Sequence, residues 1–320
     1  MTIHPTRWLA VACFTFLSSA ALAAPFAYVP NEKDGTISVI DTATDQVAHQ
    51  LPLQGRLGKR IQAVAVDAAG KTLYVVVRDD NAVAMLDLQT KKELRRIEVG
   101  DEPEGISISP DGKTLVACLE EEHAVSFVDM VSFKLHHKAK TQGRNPEHCE
   151  FSPDGKWLLA SNEESGDVDV IDTAIFKSVA LIKASKHPRG VGFAPDGKHA
   201  YIANEAANLL EVVSVGDWKV LHRIKVGLRS NGVKVSADGR RVYVSNGGDA
   251  SVSVVDTSTH QVTATVKVGQ RPWNMALTPD DRKLYVANGR SDSISVIDTV
   301  TLQPLRDIPV GKAPWGVVIR

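Results

Sequence analysis

Apolar residues in this chain fall into short runs rich in Val, Ile and Tyr, each closed by Gly, Pro, Asn or Asp. Around position 240 the runs are Gly232–Val235, Arg241–Ser245, Ser251–Val255 and Val262–Val268. Runs of this length predict β-strands, because β-branched and aromatic side chains suit a pleated, half-buried surface. A helix would need apolar spacings of three and four, whereas these runs alternate or are continuously apolar. Asp238-Gly239 joins the first run to the second, which is hairpin chemistry.

The four-run unit repeats. An extended segment ending in aspartate recurs at Val39-Ile40-Asp41, Met85-Leu86-Asp87, Phe127-Val128-Asp129, Val170-Ile171-Asp172, Val254-Val255-Asp256 and Val296-Ile297-Asp298, with Ser214 in a degenerate copy. Successive spacings are 46, 42, 43, 42, 42 and 42 residues. Two further phrases keep step: a Gly-x-x-Pro element (Gly100–Pro103, Gly143–Pro146, Gly269–Pro272, Gly311–Pro314) and a Ser-Pro-Asp-Gly turn (Ser109–Gly112, Ser152–Gly155). Four antiparallel strands per unit of about 42 residues is the pattern of a propeller blade. Seven copies predict an all-β, seven-bladed β-propeller in one domain, residues 24–320. The chain begins its first copy at the second strand (Ala27–Pro30) and ends after a first strand (Trp315–Ile319). The two termini are therefore expected to complete one blade and close the ring, removing open sheet edges.

The N-terminus reads as an address rather than as fold. Arg7 precedes an apolar run, Leu9–Leu17, and the small-residue triplet Ala21-Leu22-Ala23 follows. That layout predicts a secretory signal peptide over residues 1–23, cleaved after Ala23, and a periplasmic or secreted protein. The run is too short to span a bilayer, which takes about 20 residues. Cys13 echoes a lipoprotein box, but apolar sequence continues past it and the leader would be too short. A formal net charge of −1 gives no overall field toward nucleic acid or anionic lipid. The expectation is a soluble monomer with no membrane insertion. Cys118 and Cys149 fall in adjacent blades, on strands that need not face each other, and read as small buried apolar residues.

The second strand of several copies carries Tyr-Val/Ile-x-Asn: Tyr201–Asn204, Tyr243–Asn246, Tyr285–Asn288 and, loosely, Tyr28–Asn31. With the Gly-x-x-Pro and Ser-Pro-Asp-Gly phrases, the chain resembles the YVTN β-propeller family over the whole length after the leader. The leader, the seven copies and the ending Pro314–Arg320 resemble the propellers associated with PQQ-dependent alcohol catabolism. That resemblance implies a companion of periplasmic quinoprotein dehydrogenases and of associated transport components, not a catalyst.

In a propeller, the loops between blades and the loops between second and third strands emerge on one face. The repeat copies differ most there, so function is expected on that face. Directly after each interblade proline position stand Gln62, Glu104, Glu147, Arg189, Asn231, Trp273 and Trp315, expected to ring the mouth of the central channel. Acid collects on adjacent blades (Glu102, Glu104, Glu120, Glu147, Glu163), and base collects across the ring (Arg189, Arg229, Arg271). These seven residues, with His148, form the candidate cofactor site. Two tryptophans opposite glutamates and an arginine suit a flat, anionic or mixed ligand such as PQQ, or the tryptophans simply pack between blades. Glu104, Glu120, Glu147 and Glu163 are a candidate set of hard oxygen ligands for a divalent cation.

Catalytic motifs are sparse. The sequence has no Gly-x-Ser-x-Gly elbow, no Gly-rich phosphate loop, no Cys-x-x-Cys-His haem attachment and no zinc spacing. His148 and His187 are the channel-face histidines that a haem reading would use. The expectation is therefore a periplasmic, non-catalytic binding or accessory propeller linked to PQQ-dependent alcohol oxidation. The alternative is a metal- or haem-dependent enzyme, an oxidoreductase or lactonase-like hydrolase, with its site at the channel mouth.

Overall fold

The computed structural model of the protein describes residues 25–320 together with Met1. The expected leader, its cleavage point and Cys13 lie outside the described residues. Seven four-stranded antiparallel sheets form the fold. Blade 1 combines Val318–Ile319 with Phe26–Asn31, Thr36–Asp41 and Gln46–Leu51. Blades 2 to 7 follow in order as residues 61–98, 103–140, 146–183, 188–225, 230–267 and 272–309. Each innermost strand touches the innermost strands of both neighbours, so the ring closes. At the seam, Ala27 pairs with Ile319 and Tyr28 with Val318. The backbone N–H of Trp315 donates to the Pro30 carbonyl at 3.0 Å, and Phe26 and Arg320 exchange two bonds of 2.9 and 3.0 Å.

Burial follows position in the blade. Second strands are almost wholly buried, as in Lys283–Asn288, whereas fourth strands such as Pro304–Pro309 are mostly exposed. One apolar cluster fills each seam between consecutive blades. Cys118 and Cys149 are both buried thiols and share the cluster between blades 3 and 4, so their strands do face each other.

Two of the repeated phrases have one physical cause. The buried Asn31 side chain donates from Nδ2 to Thr36 Oγ1 (3.1 Å) and Ser38 Oγ (3.0 Å), tying the second strand to the third. Asn246 and Asn288 do the same to Ser251 and Ser253, and to Ser293 and Ser295. The glycine of the phrase that opens the same blade lies flat against that amide. A Cβ on Gly311 would stand 2.5 Å from Asn31 Cγ.

A third device joins the blades. The hairpin between third and fourth strands turns through a residue with φ of 49–60°: Asp45, Lys91, Phe133, Phe176, Trp218, His260 and Leu302. Several reach back over the preceding blade. Phe133 meets Tyr74 with ring centroids 5.9 Å apart, Phe176 meets Phe127 at 5.0 Å, and Trp218 meets Trp157 at 5.6 Å. Asp45 instead takes an ion pair from Lys283 at 2.7 Å and a hydrogen bond from the Tyr285 hydroxyl.

Candidate functional site

Where each innermost strand begins, its ladder carries one extra residue. Pro103 pairs with Leu119, but the next pair is Ile106 with Ala117; Pro272 pairs with Asn288, and then Met275 with Val286. A bulge of this kind re-aims side chains, and here it turns them toward the channel. Gln62, Glu104, Glu147, Arg189, Asn231, Trp273 and, from the closing strand, Trp315 all line one cavity of about 320 Å³. His148 lines it as well. The eight residues expected at the mouth are therefore together.

A second ring lies beside the first and is built by the residue following each second strand: Glu32, Arg78, Glu120, Glu163, Glu205, Gly247 and Gly289. Arg78, at the single 3-10 turn among the described residues, is not among the residues expected from the sequence, although it shares this offset with Glu120, Glu163 and Glu205. The two glycines serve their neighbours. A Cβ on Gly289 would lie 2.4 Å from the Trp273 ring, and one on Gly247 would lie 2.8 Å from Arg271 Nη1. Trp273 and Arg271 occupy the space that side chains fill on the other blades.

The expected separation of acid from base does not hold, because guanidiniums and carboxylates interdigitate. Buried Arg78 donates to Glu104 Oε2 at 2.5 Å, to both oxygens of Glu120 at 2.6 Å, to Glu102 Oε2 at 2.5 Å and to Gln62 Oε1 at 3.3 Å. Arg189 donates to Glu147 and, at 2.9 Å, to Glu205 Oε2, and lies 3.6 Å from Glu163 Oε1. Glu205 also accepts from Arg229 at 2.7 Å and from Arg271 at 3.1 Å. Breaking one partner of such buried groups is costly, because the other is left charged and dry.

Protons complete the balance. Burial, a hydrogen bond with Glu120 and the charge of Glu120 hold the Glu104 carboxyl well above the usual carboxylate range. Burial, with the charge of Glu104 and the hydrogen bond and charge of Glu163, does the same for Glu147. Burial also works against ionisation of Glu120 and Glu163. At Glu120 it is outweighed by the bonds from Glu104 and Arg78, and at Glu163 by the bond from Glu147 and the charges of Arg189 and His187. Glu163 ends at about 2. In each pair the environment thus favours one neutral carboxyl beside one carboxylate, the behaviour of close carboxyl groups that cannot both ionise. His148 is brought down to about 4 by burial and by Arg189, so its ring is neutral at pH 7.

Glu104, Glu147 and His148 each place a potential ligand atom within 4.8 Å of the others. At the channel mouth these three are the residues that could hold a divalent cation. Glu120 and Glu163, the other two members of the expected set, are turned to Arg78 and to Arg189 with His187. Trp315 is 8% exposed, and one face is stacked on His148 at 5.5 Å and 21°. It packs in the apolar cluster between blades 2 and 3, with Trp273 against the same cluster. The open platform expected of the two tryptophans is thus reduced to Trp273.

The class is therefore a seven-bladed β-propeller with a charge-dense channel mouth. A family model described as "Lactonase, 7-bladed beta-propeller" matches residues 172–313, and one described as "YNCE-like beta-propeller" matches residues 55–187. No curated protein matches the sequence. Among solved structures, the periplasmic gluconolactonase PpgL of Pseudomonas aeruginosa is 20% identical with a TM-score of 0.77, covering 92% of this chain and 98% of that one. Hydrazine synthase of Kuenenia stuttgartiensis is 23% identical with a TM-score of 0.77, covering 90% and 99%. The dihydro-heme d1 dehydrogenase NirN is 17% identical with a TM-score of 0.71, covering 93% and 75%. At these identities the likeness is one of fold, and one fold hosts many functions.

Proposed function

We propose that the protein is an exported binding propeller, accessory to PQQ-dependent alcohol oxidation. Its channel mouth seats a compact, hydroxyl-rich ligand of low net charge, such as the alcohol or lactone that this oxidation consumes or forms. The observation that carries the ligand class is the balance of the mouth. Arg78, Arg189 and Arg271 are all engaged by carboxylates, and burial favours the neutral form of Glu104 and Glu147. A polyanion such as PQQ would have to displace those carboxylates to reach a guanidinium, and would meet their repulsion. A neutral polyol exchanges hydrogen bonds with acids, amides and Trp273 without paying for an unpaired charge. The link to quinoprotein dehydrogenases and their transport partners rests on the sequence resemblance. Titration of tryptophan fluorescence tests the ligand class. Polyols and aldonolactones are expected to shift Trp273 emission, with the shift lost in Trp273→Phe. Saturable quenching by PQQ with no response to neutral ligands would overturn it.

A second reading is lactonase-like hydrolysis, favoured by the upward-shifted carboxyls of Glu104 and Glu147 beside the neutral imidazole of His148 and by the lactonase family model. His148 would take a proton from water attacking the lactone carbonyl, and a glutamic acid would donate to the departing ring oxygen. In a pH-stat, that reading requires aldonolactone hydrolysis above the uncatalysed rate, lost in His148→Ala and Glu147→Gln. A wild-type rate equal to buffer would leave only the binding role.

A further inference from the structure

The seams between blades use three repeat positions: the first residue of the second strand, a residue midway along the fourth strand, and the left-handed hairpin residue of the next blade. Strand register makes them equivalent around the ring. At the seam of blades 4 and 5 they are Trp157, Ala180 and Trp218; at the seam of blades 6 and 7 they are Arg241, Ala264 and Leu302. At the seam of blades 5 and 6 all three are histidine: His199, His222 and His260. A fold-making role does not call for this, because aromatic and aliphatic residues make the same latch elsewhere.

The arrangement is specific. The His222 and His260 rings stack with centroids 3.8 Å apart at 23°. His260 Nδ1 is buried with no hydrogen-bond partner, and such a buried polar atom calls for an explanation. His199 and His260 line one cleft of about 470 Å³, with Asp196 and Asp238 at its edge.

We propose that His199, His222 and His260 form a site for a borderline transition-metal cation, Zn²⁺, Ni²⁺ or Cu²⁺, that staples blade 5 to blade 6. Imidazole suits these metals, and three such ligands leave a coordination position for water or an Asp196 or Asp238 oxygen. The ring nitrogens of the three histidines do not all lie within 4.8 Å of one another, so capture requires a rotation of His222, whose side chain is exposed. The site is separate from the channel mouth and independent of the function proposed there.

Calorimetric titration of the full chain with Zn²⁺ and Ni²⁺, beside thermal melts with and without metal, tests this. One ion per chain is expected, with a metal-dependent rise in Tm. His260→Phe places at this seam the residue that blade 4 carries at the same position, so the latch is kept while a ligand is removed. That variant and His222→Ala should lose both the heat and the Tm rise, whereas Glu147→Gln and His49→Ala should keep them. Binding unchanged in His260→Phe, binding lost in Glu147→Gln, or no binding by wild type would each overturn the assignment.

Discussion

The repeat assigns one residue per blade to the channel mouth, and its chemistry depends on how those residues share charge and protons. Arg78 is the most constrained, with four acceptors on two blades and only 7% of its surface exposed. Arg78→Met should cost about 3–5 kcal/mol in urea unfolding, since it strands buried carboxylates; a loss below about 1 kcal/mol, typical of exposed pairs, would contradict this placement. The pKa directions give a pH dependence with a definite sign. Glu104 and Glu147 are raised above their unfolded values, so their contribution is full below the unfolded carboxylate pKa and is lost as pH rises through the folded one. Melts from mildly acid to alkaline pH should therefore show a falling Tm that Glu147→Gln flattens, and an equal slope in both proteins would refute it. Gly311→Ala should cost about 1–3 kcal/mol, because its Cβ would enter the Asn31 amide. The ring of Gln62 to Trp315 was legible in the sequence because it sits at a fixed offset from a repeated proline. The pairing of Arg78 with Glu104 and Glu120 was not, because it joins blades 2 and 3 through side-chain directions that no periodicity encodes.

Among the elements, strands and hairpins were readable because turn chemistry punctuates them. The four runs read around position 240 correspond to Ser230–Val235, Arg241–Asn246, Ser251–Asp256 and Gln261–Lys267. The bulge opening each innermost strand was not readable. Its signature is an extra residue relative to a partner strand, which appears only once the register is known. The left-handed hairpin residues likewise look like loop composition until Phe176 and Trp218 are seen lying on the preceding blade. Trp218→Gly should keep the turn, because glycine accepts its φ of 56°, but should remove the contact with Trp157. The expected outcome is a lower Tm with local hydrogen-exchange deprotection confined to the outer strands of blades 4 and 5. Deprotection spread evenly over all blades would contradict a seam-by-seam core.

For the whole molecule, closure and one varied face dominate. The ring closes through a two-residue strand, Val318–Ile319, together with buried Trp315. Deleting Trp315–Arg320 should lower Tm by more than about 6 °C, taking roughly 3–5 kcal/mol for the tryptophan alone and about 2 °C per kcal/mol at this size. An unchanged Tm would mean that the seam is not under load. The blade number and the closure were legible because chain ends that begin and stop mid-repeat can only complete each other. The net charge of the mouth depends on pairing and protonation, which composition does not reveal. Calorimetric titration of the wild-type chain at neutral pH, with an aldonolactone or polyol in one series and PQQ in the other, tests this most directly. Saturable heat is expected from the neutral ligand and none from PQQ; saturable heat from PQQ with none from any neutral ligand would contradict a charge-balanced seat at the channel mouth.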